Sequence, residues 1–393
     1  MRCARGPETM EFMGYRRPDG RVGIRNHVIV VSSVFCSSTV VQAIARATGA
    51  VPVTHEGGCL ELGPGREHTE RVLRGVVSHP NVGGVLVVGL GCEQVSAEAL
   101  AGASGGRPAR VLEIRKAGGT EAATEQGIAL ARDLQVKAAR ATREPAHLQE
   151  LTLATQCGSS DTGSGLASNP AVGLVADELV AMGGTVLLGE TGSLYGAAGL
   201  MAQRAASPEV ARRILEITDA VERHSRAMGH SFTAANPTPG NIAAGLTTLV
   251  EKSLGGVRKG GTSPIMGVLR PGEAVPAGRR GLWIMDTALG LGTHVTTDMV
   301  AGGAQVVVYT TGSGNPVGSA LAPVLKVTAT PATMQAMGGN VDLDASPVLL
   351  GEESLESCAA RLLAEIVAVA NGKQVRAEVL GHGLFAIGQV PAP

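Results

Sequence analysis

Continuous runs of Val, Leu and Ile, bounded by Gly or Ser, recur along both halves of the chain. They are "VIVVSSVFC" (Val28–Cys36), "GVLVVGLGC" (Gly84–Cys92), "LTLATQC" (Leu151–Cys157) and "TVLLGE" (Thr185–Glu190). None shows the strict alternation of a half-exposed strand, so each predicts a strand of a parallel sheet buried on both faces. Helix-length segments separate them. In the first half the pattern predicts strands at 28–34, near 51–55, at 85–90 and at 109–114. Helices are expected over 38–47 (with Ser37 as cap), within 68–78, near 96–103 and from about 120 toward 142. The charged stretch "REPAHLQE" (Arg143–Glu150) reads as a joint between domains. The same grammar then restarts, with strands at 151–156, 185–189, 282–285, 304–309 and 323–328. Helices are expected at 170–182, 208–228 and 353–370, the first with Asn169 as cap, Pro170 in the first turn and Gly183–Gly184 at the stop. The Gly- and Pro-rich stretch 229–281 reads as a long loop.

This alternation predicts two Rossmann-like, three-layer α/β domains with mostly parallel sheets. The expected organisation is an N-terminal extension at 1–13, a first domain at 14–147 and a C-terminal domain at 148–393.

Composition narrows the function classes. Hydrophobic residues make up 44% of the 393 positions and aromatics 2%, so aliphatic side chains must do the packing. Lys+Arg 33 against Asp+Glu 34 leaves no basic bias, which argues against nucleic-acid binding. No run approaches the ~18 apolar residues of a membrane helix. The beginning of the chain has no signal-peptide core and there is no CxxC pair, so the thiols are expected to be reduced in a cytoplasmic protein.

In a parallel sheet, ligands bind beyond the carboxyl ends of the strands. Three strand-like runs end on Cys36, Cys92 and Cys157, and a fourth ends on Glu190. Thiolates delivered to such an edge suit iron or an iron–sulfur cluster, so these four are the candidate metal ligands. They are expected to converge at one sheet edge near His55. "THEGGCLELG" (Thr54–Gly63) supplies His55 as an acid/base candidate. Arg25, beside the first strand, suits a substrate carboxylate, whereas Arg16 and Arg17 read as a solvated hairpin. "QCGSSDTGSGLASNP" (Gln156–Pro170) offers Ser160, Asp161 and Asn169 ahead of a helix, and "TTGSGNPVG" (Thr310–Gly318) offers Thr311 in a second glycine-rich turn. Neither this turn nor "GLGCE" (Gly89–Glu93) completes a P-loop or dinucleotide fingerprint, so no nicotinamide cofactor is expected. "NPTPGNIAAGLTTLVEKSLG" (Asn236–Gly255) adds Asn241, Glu251 and Lys252. Lys252 reads equally as a general base, an oxyanion stabiliser or a solvated helix residue.

Taken in order, "GYRRPDGRVGIRNHV", "GGCLELG", "HPNVGGVLVVGLGCE", "QCGSSD", "PTPGNIAAGLTTLVEKSLG", "KGGTSPI" and "TTGSGNPVG" resemble the altronate dehydratase/galactarate dehydratase family. The resemblance implies a hydro-lyase that converts a sugar acid to a 2-keto-3-deoxy acid, with a divalent metal, Fe2+ first, and an oligomeric assembly. It also implies a second possibility, the large subunit of an enzyme that releases sulfite from sulfolactate. A separately encoded small subunit would then replace the small β-rich domain that precedes these blocks in full-length dehydratases. The sequence departs from the family pattern at Ser193, where an acid is usual, at Ser313, where an arginine is usual, and at Ser159, where glycine is usual. The serine at 313 favours a monocarboxylic over a dicarboxylic substrate, and the departures leave a non-catalytic subunit as a third reading.

Overall fold

The computed structural model describes residues 10–287 and 292–388. The first unit is built on a four-stranded parallel sheet in the order Val51–Val53, His27–Ser32, Val82–Gly89, Ala109–Glu113. Alternate residues of the buried strands face opposite sides. Val28, Val30, Leu86 and Val88 pack on one side with Val40, Val41 and Ile44 of helix Ser38–Thr48 and Leu134 of helix Thr120–Ala138. Ile29, Val31, Val85 and Val87 face the other side, against Val72, Leu73 and Val76 of helix Gly63–Val77.

That second layer does not end at solvent. The same apolar cluster continues into the second unit through Met299, Val300 and Ala301 of helix Gly292–Ala301. Gly75 permits the approach of the two helices, since a Cβ there would stand 2.2 Å from the Ala301 carbonyl oxygen. The second unit carries a seven-stranded parallel sheet in the order Ile265–Leu269, Gly281–Met285, Thr185–Leu188, Thr152–Gly158, Val306–Thr311, Val324–Thr328, Leu343–Asp344. From the central strand Thr152–Gly158 the chain winds first to one side and later to the other. The carboxyl ends of Thr152–Gly158 and Val306–Thr311 therefore flank a topological switch point, where such sheets bind ligands. In the first unit the switch lies between His27–Ser32 and Val82–Gly89.

Three expectations are corrected. The charged joint contains a strand, Glu144–His147, which pairs antiparallel with Glu11–Arg16 beside Val22–Gly23. The expected N-terminal extension therefore contributes residues 11–13 to a small sheet; residues 1–9 lie outside the described part. The stretch 229–281 is not one long loop. It contains helix Leu249–Val257, a 3-10 turn Arg258–Gly260 and the edge strand Ile265–Leu269. Its glycines mask any periodicity, so packing rather than local pattern orders it. Finally, Arg17 is not solvated. It is buried and donates to the Pro80 and Arg25 carbonyls at 2.7 and 2.8 Å.

No helix among the described residues is long and apolar enough to cross a membrane.

Candidate active site

The central strand of the large sheet carries Cys157 as its penultimate residue, and after Gly158 the backbone turns sharply through Ser159, a non-glycine residue at φ +54°. Asp161 closes the next turn. It accepts hydrogen bonds from the Ser164 N–H at 2.7 Å and from the hydroxyls of Ser164 and Thr330. A π-helical turn, Ser164–Ser168, leads into helix Asn169–Ala181. Asn169 is buried there, accepting from the Thr310 hydroxyl at 2.6 Å and donating to the Gly255 carbonyl at 3.0 Å. Asp161 and Asn169 therefore hold the loop in shape. Thr311 does the same for its turn, accepting the Asn315 N–H at 3.1 Å.

The neighbouring strand delivers Glu190, again in a left-handed conformation at φ +69°. Non-glycine residues in this region are uncommon and persist only where the surroundings hold them. The Thr287 hydroxyl takes the Glu190 N–H at 3.0 Å, and Thr191 in turn accepts the Thr287 N–H at 3.0 Å. So fixed, the Glu190 carboxylate accepts the Cys157 N–H at 2.8 Å and the Lys259 ammonium at 3.0 Å. Lys259 is fully buried and also faces the Cys157 thiol. Burial opposes its charge, but Cys157 and Glu190 outweigh that and hold it above an ordinary lysine. Cys157 is pushed up by burial and by Glu190, and its sulfur lies 3.5 Å from the Ser160 hydroxyl.

Lys252 stands seven residues before Lys259, two helical turns back on the same run of chain. Its ammonium donates to the side-chain oxygens of Asn236 at 2.8 Å and Asn241 at 3.0 Å, both neutral. Asn241 is buried and braced by its own bond to the Ser160 carbonyl at 2.9 Å. Burial lowers the Lys252 pKa and the like charge of Lys259 lowers it further, while Cys157 and Glu190 pull the other way without cancelling the drop. Lys252, Ser160 and Asn169 line a cavity of about 500 Å³ between loop 160–166 and helix Leu249–Val257. Burial and cationic neighbours are how a lysine is tuned toward general-base work.

Residues 148–391 match the family described as D-galactarate/Altronate dehydratase, C-terminal, and residues 14–139 match D-galactarate dehydratase/Altronate hydrolase, second domain. The chain belongs to the D-galactarate/altronate dehydratase family. The (2R)-sulfolactate sulfo-lyase subunit beta of Chromohalobacter salexigens is 35% identical over 382 residues, covering 96% of this chain and 96% of that protein. Altronate dehydratase of Bacillus subtilis is 32% identical over 385 residues, or 94% of this chain and 76% of the relative. Galactarate dehydratase (L-threo-forming) of Escherichia coli is 32% identical over 392 residues, or 93% and 74%.

The remaining candidates of this family member lie elsewhere or are fully engaged. Arg25 donates to both oxygens of Glu378 at 2.7 Å and to the Ile24, Val369 and Lys373 carbonyls, so it ties the first unit to the C-terminal helices rather than facing a ligand. His55 is buried, lies 2.9 Å from the Ser32 carbonyl and accepts the Gly57 N–H at 3.1 Å; both ring nitrogens are used to pin its loop. Glu251 accepts the N–H and hydroxyl of Thr247, each at 2.7 Å, and belongs to the cap of helix Leu249–Val257.

The four expected metal ligands are split. Cys157 and Glu190 sit on the large sheet, already joined by Lys259. Cys36 and Cys92 are exposed at the switch point of the small parallel sheet, with Cys59 exposed nearby. Those loops are stitched together by the Phe35 N–H to the Gly57 carbonyl at 2.9 Å and the Gln94 N–H to the Gly58 carbonyl at 3.1 Å. Among the described residues no three His, Cys, Asp or Glu side chains are grouped so as to hold a metal ion. The set Cys36, Cys92, Cys157 and Glu190 therefore does not fit a single metal, and a buried ammonium already satisfies Glu190.

Lys259, the first residue of "KGGTSPI", has no distinguishing local pattern, yet it lies buried between Glu190 and Cys157. The available signal was its spacing of seven from Lys252.

Proposed function

We propose that this chain is a lyase that removes the proton α to the carboxylate of a small hydroxy acid and expels the group on the β carbon. The observation that carries this reading is Lys252, a lysine of lowered pKa with only neutral amide partners, on the wall of a cavity at the switch point. In its neutral form Lys252 takes the C2 proton. The electrons form the C2–C3 double bond of an enol as the C3–O bond breaks. The Lys252 ammonium formed in that step returns the proton to the departing hydroxyl, which leaves as water. The enol then becomes the 2-keto-3-deoxy acid. Buried Lys259 keeps a positive charge behind the reacting edge, where negative charge develops. The likeness to altronate and galactarate dehydratases supports water as the leaving group and a sugar acid as substrate.

A second reading has its own support, the likeness to a sulfo-lyase subunit over nearly the full length of both chains. Sulfite departs as an anion and needs no proton, so Lys252 would act only as base. This reading also brings in a partner, because the relative is one subunit of its enzyme. A divalent metal, implied by the family resemblance, finds no complete ligand set among the described residues.

Altronate, galactarate and (2R)-sulfolactate, assayed anaerobically with iron and with any candidate small subunit, test both readings. Lys252→Met is expected to lower kcat at least a thousandfold on the accepted substrate, within the range general bases contribute, while leaving the circular dichroism spectrum unchanged. Turnover by Lys252→Met within tenfold of wild type would refute the assignment. Metal analysis of the same anaerobic preparation is expected to find no stoichiometric ion in the chain alone.

A further inference from the structure

The cavity beside Lys252 has four charged residues on its wall: Asp161, Glu251, Lys252 and Arg258. The two acids are already engaged as acceptors from neutral donors. Asp161 takes three donors from Ser164 and Thr330, and Glu251 takes two from Thr247. Lys252 is held by two amide oxygens. Arg258 differs: it is exposed, and its guanidinium makes no hydrogen bond or ion pair among the described residues. Its backbone is nonetheless fixed, because the 3-10 turn Arg258–Gly260 is locked between buried Val257 and buried Lys259, and the Arg258 carbonyl accepts the Gly261 N–H at 3.0 Å.

We propose that Arg258 is the specificity-determining residue of this site, and that it binds a second acid group, carboxylate or sulfonate, at the far end of a dianionic substrate. The inference rests on the lyase reading above. An unengaged guanidinium offers a planar fork matched to an oxyanion. Arg258 stands six positions after Lys252, just past the end of helix Leu249–Val257, a rise of about 9 Å along the axis, so the two groups can attend to opposite ends of one small molecule. Arg25 cannot serve instead, because Glu378 occupies it. The proposal predicts a dianionic substrate, against the monocarboxylic preference that the serine at 313 suggests.

Calorimetric titration separates this proposal from the lyase reading, since it needs no turnover. Galactarate, (2R)-sulfolactate and altronate would be titrated into the wild-type protein, Arg258→Gln and Arg258→Lys, with KM and kcat measured in parallel for whichever acid turns over. The wild type is expected to bind at least one of the two dianions more tightly than altronate. Arg258→Gln should weaken that dianion at least tenfold and altronate by less than twofold, raising KM while kcat stays within threefold. Arg258→Lys, which keeps the charge and loses the fork, should fall between. Which dianion responds tells carboxylate from sulfonate. Equal losses for all three acids, no loss with Arg258→Gln, or no dianion preference in the wild type would each overturn the proposal. A dianion-selective loss without turnover of any acid would leave Arg258 standing and refute the lyase reading alone.

Discussion

Lys252 and Lys259 are seven residues apart and have opposite electrostatic fates. Lys259 is enclosed with a carboxylate and a thiol and keeps its proton; Lys252 meets two amide oxygens and releases its proton more easily than an ordinary lysine. The consequence is a pH dependence. If neutral Lys252 is the base, kcat/KM rises with pH along a limb whose midpoint lies below the 10.5 of a free lysine. Replacing Lys259 by Met removes a like charge and leaves Glu190 uncompensated, and both changes favour the Lys252 ammonium. The limb is therefore expected to move to higher pH in Lys259→Met, read from a pH–rate profile. An unmoved limb would show that the two lysines do not communicate, and a shift to lower pH would contradict the sign assigned to that coupling. The variant should also lose about 3–5 kcal/mol of stability, because it strands a buried carboxylate, so its fold must be checked by denaturation at the same time.

At the level of elements, the site depends on how the two α/β units are docked. Asn81, in the turn before strand Val82–Gly89, is wholly buried and works across the boundary. Its amide donates to the Gln305 and Leu321 carbonyls, each at 3.0 Å, while its oxygen accepts the Ile24 N–H at 2.8 Å. Gln305 answers from the other side, donating to the Val22 carbonyl at 2.8 Å. Asn81→Ala removes three bonds and leaves buried backbone groups unpaired, which costs on the order of 2–4 kcal/mol. Urea unfolding is expected to show the transition displaced to lower denaturant or split in two. An unchanged single midpoint would mean that the apolar layer between helices Gly63–Val77 and Gly292–Ala301 is sufficient to join the units. Helix Leu249–Val257 makes a related point. The sequence alone suggests a loop there, yet Thr248 caps it by accepting the Glu251 N–H at 3.1 Å, and packing against the turn Tyr195–Ala197 completes it.

For the molecule as a whole, two histidines set an acid limit, His79 fully buried and His27 partly so. His79 is fully buried, and burial, the largest influence, lowers its pKa from 6.5 to about 3; the Ala304 carbonyl at 3.0 Å receives its Nε2. His27 is lowered to about 4, again chiefly by burial. Between these values and 6.5 the unfolded chain binds protons that the folded chain refuses, so stability falls as pH drops through this window and is whole above about 6.5. Each withheld proton costs about 1.4 kcal/mol per pH unit. Chemical denaturation at pH 7, 5.5 and 4 should show this decline, and His79→Gln should flatten it. A stability independent of pH over that range would contradict the assignment of a neutral, enclosed His79.

Local pattern was enough to determine the two parallel α/β units, because buried strands are continuous aliphatic runs and their helices carry proline and glycine punctuation. It also placed Cys157, Glu190, Ser160, Asn241 and Lys252 at strand ends and in one glycine-rich stretch, and the structure brings these together. Long-range packing decided the rest. Cys36 and Cys92 follow strands His27–Ser32 and Val82–Gly89 within four residues, much as Cys157 sits near the end of its own strand, but which strands share a sheet is a property of the docked chain, and these two belong to another sheet. Arg25, His55 and Asp161 have the composition of site residues and became fasteners, since their partners lie far along the sequence or depend on how a loop closes. The enclosure of Lys259, and hence the contrast between the two lysines, exists only once the sheet, helix Leu249–Val257 and Glu190 meet, because burial and charge proximity are properties of the folded surroundings and not of the residue.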